Sequence, residues 1–312
     1  MYSAEQLQKG LKNPTIAKNH ISNKIWATLS DASRTILGRR DAPIPERDWD
    51  NLLLLDACRY DLFEKYNNLP GELERYYSVA SNTAEYVRRT FDGKRYPDIV
   101  CVTSTPKYFK PNVEDSFHDI IHVWEDDWDE EYRTVLPEVM NKRVIKVSEE
   151  YPNKRILAHY IPPHQPFIGE TGQQMPHQVQ FSGDVITQDM DAPNTWQALK
   201  SGKYSKERVW KAYRENLELT LPEIKEILGK LQGKTVVTSD HGNAFGGLSE
   251  FGLVGHPANR HIKSLIEVPW LVYQNGGRKN IEIGGKAEDM SDEVGIDEDT
   301  VKERLGDLGY LE

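Results

Sequence analysis

The sequence predicts an α/β fold, a mostly parallel central sheet with helices on both faces, and three observations carry that prediction. Short apolar runs recur along the chain at 51–57, 98–104, 119–124, 155–160, 234–240 and 266–273. They are bounded by polar or turn residues and mostly rich in Leu, Ile or Val, the pattern of strands buried on both sides. Between them, 135–151 and 206–232 carry apolar residues at helical spacing. Strand–helix alternation of this kind builds a parallel sheet covered on both faces.

Residues 1–45 are polar and mixed in charge, and the spacing of Ile25, Trp26, Leu29 and Ile36 suggests a helical arm. "DAPIPERDWD" (41–50) reads as a linker, because its two prolines cannot continue a helix. Residues 46–312 then form a single domain. In 206–232, Val209, Tyr213, Leu217, Leu221, Ile224 and Leu228 define one apolar stripe, which Pro222 is expected to kink or divide. The stretch 165–205 is long, polar and rich in Gly, Gln and Asp, and reads as a cap or substrate loop over the site.

With 39 basic against 49 acidic residues the net charge is −10, which argues against nucleic acid as a partner. Cys58 and Cys101 lie in or beside apolar runs and read as buried free thiols. No stretch has the length of a transmembrane helix, and the N-terminus shows no apolar signal region. The expected location is the cytoplasm, with peripheral contact at the membrane's inner face through the N-terminal arm.

In parallel sheets ligands sit beyond the carboxyl ends of the strands. Asp56 ends "LLLLD", Asp240 ends "VVTSD" with His241 next, His159 lies in "ILAHY", and His164 follows in "PPHQPF". Two carboxylates with imidazoles suit Zn²⁺, Mn²⁺ or a similar divalent ion. Each residue also has a plainer reading: Asp56 as a helix cap, His159 as a satisfied core histidine, His164 as part of a surface turn. In "SVASNTAEYVRRTFDG" (78–93), Ser81, Asn82 or Thr83 could cap a helix. The functional reading is a hydroxyl held at a helix N-terminus, where exposed N–H groups favour a phosphate. A metal would lower the pKa of that hydroxyl and make it a nucleophile.

In order, "LLLLDACRYD", a Thr at a helix start, "AHYIPPHQPF", "VVTSDHG" and "GHPANRHIKSLIEVPWLVY" resemble the sulfatase-like branch of the alkaline phosphatase superfamily. The closing "VKERLGDLGYLE" resembles the C-terminal helix of such proteins, so the likeness spans about residues 50–312. It implies an alkaline phosphatase-like three-layer sandwich. It also implies that Asp56, Asp240, His241 and the Thr83 hydroxyl hold one divalent metal, Zn²⁺ or Mn²⁺, with Mg²⁺ or Ca²⁺ as alternatives. Thr83 to Gly93 fits the family's nucleophile–x₉–Gly count, with Ser81 as fallback. His164 and His256 match histidines that contact the substrate or bind a second metal, and His261 is the rival of His256. Arg59 and Asp61 are expected to orient the first helix. The Cys/Ser-x-Pro-x-Arg segment of true sulfatases is replaced by "TAEYV", which favours phosphoryl over sulfuryl chemistry. The expected activity is hydrolysis of a phosphomonoester or diester. The alternatives are transfer of a phospho-substituent to a glycan or lipid head group, and a non-catalytic module with a vestigial metal site.

Overall fold

The computed structural model describes residues 42–175, 194–284 and 298–309. The expected helical arm lies outside these residues as far as 41, as does the middle of the expected cap loop, 176–193. Seven strands form one sheet: β1 (Asn51–Leu55), β2 (Glu72–Tyr77), β3 (Tyr96–Thr103), β4 (Phe117–His122), β5 (Arg155–Tyr160), β6 (Gly233–Thr238) and β9 (Glu267–Asn275). Their order is β2-β9-β6-β1-β5-β3-β4, and only β9 runs against the rest. A two-stranded ribbon, β7 (Ala244–Phe245) with β8 (Val254–Gly255), stands apart from the sheet. The principal helices are α1 (Tyr60–Tyr66), α2 (Thr83–Thr90), α3 (Pro137–Glu150), α4 (Thr195–Lys200), α5 (Lys206–Lys230) and α6 (Glu298–Asp307).

The run of four leucines explains the layering. Successive strand side chains point to opposite faces. Leu53 and Leu55 pack with α1, α3 and α5 on one side, and Leu52 and Leu54 pack with α2 on the other. All four are fully buried, so truncating any one to Ala would cost about 2–5 kcal/mol. The six expected strands and both long helices are present, and Cys58 and Cys101 are buried free thiols.

Three features differ from expectation. β2, "ELERYY", is an additional strand whose Glu72, Glu74 and Arg75 are exposed. It pairs on one side only, and a charged edge strand lacks the apolar alternation that marks a buried one. α5 is unbroken through Pro222, so the proline does not divide it. Pro222 and Glu218 both face solvent, where water can take the carbonyl that the missing N–H leaves open. Finally, the predicted linker is packed: Ile44 and Trp49 are buried, and Trp49 Nε1 donates to Ile44 O at 2.8 Å. Pro43 and Pro45 instead shape the short turn Ile44–Glu46, which covers the α2 face of the sheet.

Candidate metal centre

Parallel strands β1 and β6 are neighbours, paired from Asn51↔Thr235 to Leu54↔Thr238. Asp56 and Asp240, each just past its strand, are therefore delivered side by side. The junction is tied by long-range bonds. Ser239 Oγ donates to His241 O at 2.6 Å and accepts from Cys58 N at 2.8 Å, and Ser78 Oγ donates to Asp240 O. Ala57 adopts a left-handed φ of 59°, uncommon for a residue with a Cβ, and its N–H reaches Asp240 Oδ1 at 3.1 Å. Gly242 is required sterically, because a Cβ there would stand 2.3 Å from Ser264 O.

Asp56, Asp240 and His241 are fully buried, and one ligand atom from each can be chosen so that all lie within 4.8 Å of one another. Asp240 Oδ1 accepts from Ala57 N and from His241 N, while buried Oδ2 has no hydrogen bond and lies 3.4 Å from His241 Nε2. His241 Nδ1 donates to Gly242 O at 2.8 Å, so its Nε2 lone pair faces the carboxylates, 3.4 Å from Asp56 Oδ1. A buried carboxylate oxygen without a hydrogen bond, a second carboxylate and an aimed imidazole fit a divalent cation.

Thr83 Oγ1 joins this group, 3.2 and 3.3 Å from the two Asp56 oxygens and 3.1 Å from His241 Nε2. The cap of α2 is Asn82, whose side chain accepts from Glu85 N at 2.8 Å. That leaves the Thr83 hydroxyl to face Asp56 rather than its own helix. Ser81 Oγ is engaged elsewhere, donating toward Glu85 Oε2 (3.0 Å) and Pro257 O (2.9 Å) and accepting from Arg260 N (3.1 Å).

His164 and His256 complete the cluster. His164 Nδ1 donates to Gln165 O and His256 Nδ1 to Asn243 Oδ1. Their Nε2 atoms face each other at 3.5 Å, and the His256 ring centroid lies 4.9 Å from that of His241. Two lone pairs in that arrangement call for a shared proton or a cation between them. Burial pushes His164 below the ordinary imidazole value. It pushes His256 well below, reinforced by His164 and His241. Burial would raise Asp56, but His164, His159 and His241 outweigh it and hold the carboxyl well below its usual range. His159 backs Asp56, with Nε2 3.6 Å from Oδ2 and Nδ1 paired with Tyr108 OH at 2.9 Å. His261 does not enter the cluster, since its Nε2 meets Glu85 Oε1 at 3.2 Å.

Further residues support the site, and Asn216 among them carries no local signature in the sequence. Asn216 on α5 donates to His164 O (3.0 Å) and Pro166 O (2.9 Å) and accepts from Ile168 N (2.7 Å), which fixes the turn holding His164. Arg59 pairs with Asp61 and Glu250 and donates to Asn243 O, so it also braces the loop behind His256. Glu85 accepts from Ser81 N (3.1 Å), Ser81 Oγ, Asn259 N (3.0 Å) and His261 and pairs with Arg89 at 2.8 Å. Burial would raise its carboxyl, but these partners outweigh it and bring it to about 2. Glu85→Ala should lower unfolding free energy in urea by about 1–3 kcal/mol, because it strands buried donors. An unchanged midpoint would contradict that role.

A scan against protein-family models found no match, and a search of curated proteins found none. Among solved structures, the chain is similar to the soluble domain of lipooligosaccharide phosphoethanolamine transferase A from Neisseria meningitidis. Identity there is 14% and the TM-score 0.47, over 72% of this chain and 75% of that one. It is also similar to the C-terminal periplasmic domain of phosphoethanolamine transferase EptC from Campylobacter jejuni (15%, TM-score 0.45, 72% and 78%). A third is a protein in the alkaline phosphatase superfamily from Vibrio parahaemolyticus (11%, TM-score 0.41, 76% and 63%). Likeness at these values bears on neither activity nor substrate. The expectation of a cytoplasmic location is corrected, because the EptC domain is described as periplasmic. Among the described residues no helix is long and apolar enough to cross a membrane.

Proposed function

We propose that this chain is a metal-dependent enzyme that cleaves phosphoric esters by passing a phospho-substituent through Thr83 to an acceptor alcohol. The observation that carries the reading is the Thr83 hydroxyl, buried at the first residue of α2 within 3.3 Å of both Asp56 oxygens and His241 Nε2. Asp56, Asp240, His241 and Thr83 would hold one divalent ion, which when bound lowers the pKa of the hydroxyl and offsets charge on the phosphoryl oxygens.

The remaining steps fall to the chain's own groups. With its pKa so lowered, the Thr83 hydroxyl would enter the reaction deprotonated, and its oxygen bonds to phosphorus. The ester bond breaks with its electron pair on the leaving oxygen. Beside the negative charge of a bound phosphate, the His164–His256 pair, whose Nε2 atoms lie 3.5 Å apart, would hold one proton between them and give it to that oxygen. In the second half, an acceptor hydroxyl returns a proton to the histidine pair and attacks phosphorus, and Thr83 leaves in the deprotonated form in which it entered. The N–H groups at the start of α2 favour the phosphate charge throughout.

Asp56, Thr83, His164, Asp240 and His241 are all at 0% exposure. Exclusion of bulk water favours a bound alcohol over hydrolysis as the fate of the intermediate. Product analysis on an aryl phosphodiester with Mn²⁺ or Zn²⁺, with and without a primary alcohol, separates the outcomes. The transferase reading expects alcohol-dependent formation of a new ester. Release of the free acid alone would indicate a hydrolase, and no turnover with any metal would indicate a vestigial site.

A further inference from the structure

The two site segments that carry His241 and His256 are joined by the β7–β8 ribbon, so the ribbon's tip is a projection built directly on the site. Its apolar side chains face outward: Leu248 is 100% exposed and Phe251 70%. The tip is also rigid. Gly246 N donates to Leu253 O (2.7 Å), Glu250 N to Gly247 O (3.0 Å), Phe251 N to Leu248 O (3.1 Å) and Leu253 N to Glu250 O (3.0 Å). The Glu250 side chain turns inward, accepting from Phe245 N and Gly247 N, both at 2.8 Å, and pairing with Arg59. Phe251 itself is held at a left-handed φ of 54°, a conformation a bulky residue rarely takes. The chain thus fixes its backbone in an uncommon shape that presents Leu and Phe to solvent.

The surface beside the tip is basic in an otherwise acidic protein. α4 and the start of α5 pack on the ribbon, with Trp196 and Trp210 against Phe245 at ring-centroid distances of 5.6 and 5.0 Å. Lys206 Nζ reaches Gly247 closely enough to stand 3.2 Å from where a Cβ would lie. Along this stretch Lys200, Lys203, Lys206, Arg208 and Lys211 are exposed, against one exposed acid, Glu207. The chain as a whole carries −10. Exposed Leu and Phe beside Lys206 and a Lys-rich stretch form the pattern that settles into the headgroup layer of an anionic bilayer.

We infer that the β7–β8 tip is a membrane-docking element: Leu248 and Phe251 enter the lipid interface while the basic stretch 200–211 meets anionic headgroups, which brings the metal centre to the bilayer surface. This goes beyond the proposed chemistry, and its test reads binding rather than turnover. Sedimentation of the full chain with phosphatidylcholine vesicles carrying a minority of phosphatidylglycerol should show binding that weakens with salt and with pure phosphatidylcholine. Leu248→Asp with Phe251→Asp should weaken it at least about tenfold. Leu248→Asp alone should weaken it in part, and being fully exposed it leaves the fold intact. Lys203→Glu with Lys206→Glu should remove the preference for phosphatidylglycerol. All variants should keep wild-type turnover of a soluble ester. The inference is overturned if the wild type ignores vesicles, or if the Leu248/Phe251 variant binds them equally. It is also overturned if sedimentation velocity shows a dimer that this variant dissolves, since the tip would then serve a second copy of the chain.

Discussion

Thr83→Ala is expected to abolish turnover, by at least about 10³-fold in kcat, while the protein remains folded. The substitution removes one methyl and one hydroxyl from a fully buried position, and Asn82 rather than Thr83 caps α2, so the helix keeps its start. The hydroxyl is the Thr83 group that approaches Asp56 and His241. Ser81 is two residues away but is committed to Glu85, Pro257 and Arg260. Thr83→Ser keeps the hydroxyl and should retain activity within about tenfold, whereas Ser81→Ala should cost stability more than rate. Steady-state kinetics on the same ester for the three variants, with circular dichroism as a fold control, checks this. An active Thr83→Ala protein would remove the nucleophile from the account.

The second large effect concerns Asp240. Its Oδ1 is held by the N–H groups of Ala57 and His241, and only Oδ2 is left facing the cluster. Asn in its place would keep the accepting oxygen on those two N–H groups and turn an NH₂, which has no lone pair to offer, toward the metal position. The loss should therefore be of metal affinity rather than of local packing. A ligand that binds only the folded state stabilises it by RT ln(1 + [L]/Kd), about 4 kcal/mol at a thousand times Kd. Wild-type protein should lose stability on that order when treated with a chelator, seen as a lower Tm. Asp240→Asn should melt at the same temperature with and without chelator. A wild-type protein indifferent to chelation would count against a tightly held ion.

How much of this was legible in the sequence depends on the reach of each interaction. That Asp56, Asp240 and His241 come together was legible because strand ends are visible in composition and parallel strands gather their ends. Thr83 was harder, since Ser81, Asn82 and Thr83 are equivalent by local pattern. What separates them is the Asn82 side chain folding back on Glu85 N, together with Ser81 bonds to residues 257 and 260. His256 and His261 were likewise distinguished only by the partners they meet, Asn243 and His164 for one and Glu85 for the other. Asn216, Ser239 and Glu85 gave no signal, because each acts through backbone groups brought near by the fold. The charged edge strand β2 hid for a related reason: its partner supplies the hydrogen bonds, and Glu72, Glu74 and Arg75 record only the solvent. The packed turn at 44–49 shows the converse error, in which prolines were read as a linker and said nothing about burial.

The central claim is that Asp56, Thr83, Asp240 and His241 hold one divalent ion at the end of the sheet. Elemental analysis of the purified full chain beside Asp240→Asn tests it most directly. The account predicts about one equivalent of Zn or Mn per wild-type chain and a substoichiometric amount in the variant. Equal metal content in the two proteins, or a metal-free wild type that still turns over its ester, would contradict it.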